Sequence, residues 1–338
     1  MSLPKSKLLI ILIIVTILII ALNIGMAIFK NQKSIEEGSL PATNIKPNIE
    51  NLNLKYQYKG ELSEVSKTAT VYNIAKQQVL TPNLAQEIAQ SLGFTEPAEG
   101  LDDISGTVYL FKKNDGNTTL TIYPNPLKIK YSDYSQTQGE PVEQKTIISL
   151  AQDFLTKNNF IEKPFALSKP YFEYKAVDFQ GILIDPETSQ DIKYAKISYN
   201  LDLEETPIVD QNSQTYPIEI TSRLDGTILK AEITFIPNEI IKIGTADLAP
   251  AKDALDAINN GTGSIVKLNN PKIAYTQIDN QDITTATLYS LELIYVYDYD
   301  NQILAPFYRF SGVGNNKNGD VLEIEVLINA LPQEYFKK

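Results

Sequence analysis

Apolar positions fall into three regimes along this chain. Residues 8–29, LLIILIIVTILIIALNIGMAIF, form an unbroken apolar run without a charge, and Thr16 and Asn23 are its only clearly polar members. At 1.5 Å of rise per residue, about 20 such residues cross the hydrocarbon core of a bilayer. The run therefore predicts a transmembrane helix, with residues 1–7 as a cytoplasmic tail and the bulk of the chain extracytoplasmic. The apolar core of a cleaved secretory signal usually spans about 7–15 residues. This longer one predicts retention as a single-pass anchor in the plasma membrane. Residues 30–66 are polar, contain Pro41 and Pro47 and hold no period, which predicts a linker.

From residue 67 the chain alternates between periods of 3.6 and 2, the marks of helix and strand. A first unit, 67–138, opens with the apolar strand TATVYNIA. Thr81 then caps a helix with Pro82 at its first position. Leu84, Ile88 and Leu92 line one face, and Gly93 ends it. Strands at 106–112 and 118–123 flank an Asp115-Gly116 hairpin turn, and LKIKY (127–131) follows. A second unit, 139–240, has a helix over 141–157 with Ile147, Leu150, Ala151, Phe154 and Leu155 inward. Its strands are expected at 171–177, 193–203, 216–222 and 227–236, with loops at 178–191 and 202–210. A third, 241–338, has Asp247 capping a helix over 248–259, Gly261 stopping it, and strands at 272–278, 287–297, 303–312 and 321–329. One helix followed by an antiparallel meander, three times over, predicts an α+β fold of tandem two-layer units behind the membrane helix.

Composition narrows the chemistry. The chain has no Cys, His or Trp. That excludes disulfides, the common zinc sites, Ser-His-Asp and Cys-His nucleophiles, His-ligated haem and iron–sulfur clusters. No catalytic, cofactor or metal residues are expected. Net charge is −11, and the first 33 residues carry four lysines and no acid, so the remainder holds −15. Arg223 and Arg309 are the only arginines. Nucleic acid is not an expected partner of such a surface, whereas cationic peptides, Ca²⁺ or a basic partner surface remain electrostatically open.

The densest cluster of polar aromatic residues is Tyr295-Val296-Tyr297-Asp298-Tyr299-Asp300-Asn301. A calcium loop counted from Asp298 needs an acid at its twelfth position, and that position is Arg309. The run is better read as a strand entering an acidic hairpin turn, with Tyr295, Tyr297, Asp298, Tyr299 and Asp300 as candidate partner contacts. Arg309 is a candidate clamp for a partner carboxylate, or the internal counter-ion of Asp298 or Asp300. The adjacent acids Asp102/Asp103 and Glu204/Glu205 would point to opposite faces of a strand and read as solvated loops.

Three segments carry a family resemblance: VYNIAKQQVLTPNLAQEIAQSLGF (71–94), DALDAINNGTGSIVKL (253–268) and ILAPFYRFSG (303–312). Behind a membrane helix, they resemble PepSY or cystatin-like units, the architecture of YycH/YycI-type extracytoplasmic regulators of bacterial histidine kinases. The resemblance implies a protein without enzymatic activity that binds or restrains another membrane or envelope protein by stoichiometric contact. It carries over no catalytic residue and no particular kinase. The alternatives are a cell-envelope hydrolase working through carboxylates alone and a PepSY-like protease inhibitor.

Overall fold

The computed structural model describes residues 34–42, 45, 54–60, 66–76, 78–114, 116–135, 137–210, 216–269, 283, 285–317 and 319–337. The apolar run 8–29 and the strand expected at 272–278 lie outside the described residues. Among the described residues no helix is long and apolar enough to cross a membrane.

In chain order, β1 (Lys55–Tyr58) and β2 (Thr68–Ile74) precede α1 (Pro82–Ser91) and four strands, β3 (Glu99–Asp103), β4 (Gly106–Lys112), β5 (Thr118–Pro124) and β6 (Leu127–Asp133). Next come α2 (Gln144–Lys157), β7 (Ala166–Leu167), β8 (Tyr171–Val177), β9 (Leu183–Ile184) and β10 (Tyr194–Tyr199). They are followed by β11 (Leu201–Leu203), β12 (Thr206–Asp210), β13 (Ile218–Arg223), β14 (Ile228–Thr234) and β15 (Ile240–Asp247). The last group is α3 (Ala251–Asn259), β16 (Ser264–Asn269), β17 (Thr285–Asp298), β18 (Ile303–Asn315) and β19 (Val321–Asn329). Among the described residues the protein is mostly β, with three α-helices and two large sheets.

The nine-stranded sheet runs β3-β4-β5-β6-β14-β13-β10-β8-β9, so the strands after α1 and those after α2 meet through the antiparallel pair β6–β14. Its alternation is clean. Ile197, Ile220, Ala231, Tyr131, Leu120 and Phe111 form one row of cross-strand neighbours and Tyr199, Ile218, Ile233, Ile129 and Ile122 a second. All are buried. Ala85 and Ala89 of α1 and Ile147, Ala151 and Leu155 of α2 share this core. The opposite face is polar, with Lys128 2.6 Å from Glu232 and Lys196 2.8 Å from Glu219, as a one-sided antiparallel sheet requires.

The ten-stranded sheet is built on the long hairpin β17–β18. Near the turn, β18 pairs with β2; farther out it pairs with β19, which pairs with β16. β17 pairs in parallel with β12 at one end and with β1 at the other. One face of the hairpin serves two cores: Tyr295, Tyr297 and Leu304 join the core of the other sheet, while Leu288, Tyr308 and Phe310 pack with Ala254 and Ile258 of α3.

Local signals hold where expected. Thr81 accepts a hydrogen bond from the Leu84 amide at 3.2 Å, Pro82 opens α1, and Gly93 has φ +76°. Several boundaries differ because tertiary contacts compete for the backbone. In α1 the alanines are the fully buried residues, and Leu84, Ile88 and Leu92 flank them. Helix α2 starts at Gln144 instead of 141, since the Val142 amide is drawn to the Leu224 carbonyl (2.9 Å). Leu150 is correspondingly 40 % exposed. Helix α3 starts at Ala251, because Asp247 ends β15, and the Leu248 and Ala249 amides bond to Lys67 and Ala330.

Three loop expectations also change. The 202–210 stretch is a tight hairpin, β11–β12, turning through Glu204 and Glu205 at φ +51° and +65°. The 178–191 stretch contains β9. Within 30–66, the expected linker, the described residues pack onto the body: Ile35, Leu40 and Leu54 are buried and β1 pairs with β17. Isolated apolar residues in a polar stretch leave no period, so pattern alone could not reveal them.

Candidate functional site

The polar aromatic run of β17 is largely interior. Tyr295 is buried and meets Tyr72 edge-on at 5.7 Å, and Tyr297, also buried, meets Tyr299 at 4.5 Å. Burial, and then the charge of Asp298, pushes the Tyr297 phenol up to about 12; burial likewise raises Tyr295 and Tyr299. Asp298 is buried and builds the β17–β18 turn. It accepts from the Asp300 and Asn301 amides at 3.0 Å each and from Asn301 Nδ2 at 2.9 Å. Asn301 Nδ2 also donates to the Ala42 carbonyl at 3.1 Å, tying the N-terminal segment to this turn. Of the run, Asp300 is exposed and Tyr299 half-buried.

Arg309 pairs internally, but not with Asp298 or Asp300. The hairpin register puts Asp298 opposite Ile303, six residues from Arg309, or about 20 Å along a strand at ~3.3 Å per residue. Glu292 lies directly opposite, and Arg309 Nε donates to its carboxylate at 3.2 Å. Asp202 on β11 is close to this pair. Burial and then the Glu292 charge raise its carboxyl, and its buried Oδ1 has no hydrogen-bond partner among the described residues. A carboxyl raised by burial is a group that acid–base chemistry can use, yet the neighbouring Glu292 is already bonded to Arg309.

Beyond Arg309 on the same face, the register lines up Lys267, Glu325, Ser311 and Ser290 across β16, β19, β18 and β17. Lys267 Nζ lies 2.9 Å from Glu323 and 3.6 Å from Glu325. Burial alone would lower the lysine, but both glutamates hold it above its ordinary value. These residues line a cleft of about 340 Å³ with Tyr289, 51 % exposed, on its rim. Tyr171 stacks on Tyr216 nearby, with ring centroids 6.0 Å apart and planes at 13°. Burial raises both phenols, and Lys267 acts on each, with Glu323 acting on Tyr171 and Glu325 on Tyr216. A second hollow, of about 240 Å³, lies between the end of β2 and the C-terminus of α2, with Glu162 bonded to Asn238 in its wall.

The third surface is the edge of the nine-stranded sheet. Strand β3, EGLDD, pairs only with β4 among the described residues, and all five of its residues are exposed. Glu99, Asp102 and Asp103, with exposed Glu96 just before them, include no partner of an ion pair among the described residues. Asp103 caps the hairpin by accepting from the Ile104 amide at 2.7 Å and the Ser105 hydroxyl at 3.0 Å. Ile104 at the tip is fully exposed.

No protein-family model matches the chain, and no curated protein matches it in sequence. Its fold is similar to that of an uncharacterized protein from Eubacterium rectale, known from a crystal structure. The TM-score is 0.51 at 11% identity, over 85% of this chain and 91% of that one. A likeness at that identity concerns the fold alone.

The β3 edge and the Lys267 cleft are absent from the sequence-based candidates for different reasons. EGLDDISGT has the strand–turn–strand outline of a hairpin, and its acids read as solvated loop. Lys267, Glu323 and Glu325 each occupy an ordinary outward position on a strand. Only the β16–β19 pairing, across more than 50 residues of chain, brings them together.

Proposed function

We propose that this chain is a membrane-anchored, extracytoplasmic binding or regulatory protein without enzymatic activity, acting by stoichiometric contact with another membrane or envelope protein. Residues 8–29 hold it in the bilayer. The helix-plus-strand runs after α1 and α2 are tandem units of the PepSY or cystatin-like kind, joined through β6–β14. The observation that carries the reading is the open edge at β3. An exposed edge strand offers a row of backbone donors and acceptors to an added strand. Four carboxylates beside it select a basic extended segment and repel a second copy of the same edge. A carboxylate hydrolase is less well supported, because Glu292, the acid whose charge acts on Asp202, is committed to Arg309.

The test is a photo-reactive residue at Leu101 in the full-length chain in native membranes. A discrete protein adduct that disappears when Glu99 and Asp102 are both changed to Lys supports the reading. Adducts unaffected by the charge reversal, or none above those from a probe at Thr121 in mid-sheet, would remove its basis.

A further inference from the structure

We propose that the Lys267 cleft is a separate binding site for a neutral polyhydroxylated ligand, a short stretch of envelope glycan. This goes beyond the protein-contact reading and uses a different surface.

The shape comes from the sheet. Four polar side chains stand in one row across four adjacent strands, a span of about 14 Å at ~4.8 Å per strand spacing. The register of β17 shifts between Leu288 and Ser290. That bulge turns Tyr289 outward to the rim and aligns Ser290 with Ser311. Bulges are a common device for re-aiming side chains beside binding sites. Gly312 permits it: a Cβ there would collide with the backbone of Thr287 and Leu288. A volume of about 340 Å³ is at the small end of ligand clefts, about 300–1,000 Å³, and suits one or two rings.

The chemistry selects the ligand class. Lys267 Nζ and the two serine hydroxyls donate, whereas Glu323 and Glu325 accept. Sugar hydroxyls do both. One lysine against two glutamates leaves a net negative lining that disfavours phosphate or sulfate, and Lys267 already occupies the place a cation would take. Tyr289 on the rim and Tyr171 near Lys267, the latter with one face stacked on Tyr216, are each 51 % exposed. They offer flat, amphipathic rings with an apolar face and a polar tip, the combination that meets the C–H face and hydroxyl rim of a pyranose. Exposed ion pairs add little to stability, so folding alone is a weak reason to gather these groups in one hollow.

The experiment titrates the full-length chain in detergent micelles with N,N′-diacetylchitobiose and maltose as neutral probes and glucuronic acid as an anionic one. Tyrosine fluorescence and ligand-observed NMR are the readouts. Saturable binding of a neutral disaccharide is expected, weakened about tenfold or more (~1.4 kcal/mol) by Tyr289→Ala and, on the other sheet, by Tyr171→Ala. Phe179→Ala, at a fully exposed loop position, leaves it unchanged. The two tyrosine changes sit on separate elements, so misfolding of one variant leaves the other decisive. No saturable binding of either neutral sugar, binding indifferent to both tyrosines, or tighter binding of glucuronic acid overturns the proposal. The outcome is independent of cross-linking at β3, so either reading can fail alone.

Discussion

Asp298 and Asp202 sit on strands of one sheet, yet their surroundings give them opposite roles. Asp298 is buried with its oxygens occupied by two backbone amides and Asn301. It replaces the water that a strand-to-strand turn would otherwise need. Asp298→Ala leaves those part-buried donors without their acceptor and is expected to cost about 1 kcal/mol, measured by urea denaturation at neutral pH. The tyrosines make a second expectation at this scale. Tyr199 and Tyr297 have phenols raised to about 12 by burial. In the unfolded chain they ionise near 10, so the folded state holds more protons between these values. Their contribution is complete below pH 10 and is lost as pH climbs toward 12. Alkaline titration is expected to show tyrosinate absorbance rising together with loss of circular dichroism over that window. Ionisation of these residues near pH 10 without unfolding would contradict their burial. From sequence, the YVYDYDN run was recognisable as a strand entering a turn. Which of its residues face solvent was not, because alternate positions are covered by a sheet built from distant segments.

At the scale of elements, two turns show how local strain is accommodated. Strand β18 passes the β17 bulge at Gly312, where no side chain fits. Gly312→Ala is expected to destabilise by about 1–3 kcal/mol, visible as a lower thermal midpoint. In the β11–β12 hairpin the two central residues, Glu204 and Glu205, both have positive φ. Mirror-image two-residue turns of this kind favour Asn-Gly or Asp-Gly, and this is why a Glu-Glu pair read as loop. Glu205→Gly relieves the left-handed cost, about 1–2 kcal/mol for an ordinary residue, against a smaller gain in unfolded-chain entropy. A net stabilisation of about 0.5–1 kcal/mol is expected in the same denaturation assay. The opposite outcome would mean that the Glu205 side chain contributes to the hairpin. Helix α1 contains no such conflict: its cap, first proline and terminal glycine all agree, and it begins where pattern put it.

For the whole molecule, the two sheets are not independent bodies. The chain leaves the nine-stranded sheet after Tyr199, passes Asn200 and enters the ten-stranded sheet as β11. A single buried cluster draws Ile197, Ile220 and Ile233 from one sheet and Tyr295, Tyr297 and Leu304 from the other. One cooperative unfolding transition is therefore expected for the body after residue 54, with coincident near- and far-ultraviolet circular dichroism. Two separated transitions would show that the shared core is weaker than either sheet. The unit boundaries expected at 138/139 and 240/241 are crossed by these contacts. β2, from the first stretch, pairs with β15 and β18, and the strand after α3, β16, lies beside the last strand, β19. A repeat of helix and strands is thus visible along the chain, while the sheets cut across it.

The sequence by itself determined what short windows can carry: the apolar run at 8–29, the cap and stop of α1, the hairpins β4–β5 and β13–β14, the length of β19, and an acidic surface without Cys or His chemistry. All but the last, a matter of composition, depend on residues close to one another in the chain. Tertiary structure alone decided which strands become neighbours, that Arg309 answers Glu292, that Tyr297 is interior, and that Lys267 meets Glu323 and Glu325. Strand partnership is selected by burying whole faces at once, a free-energy difference summed over residues far apart in the chain, and no local period records it.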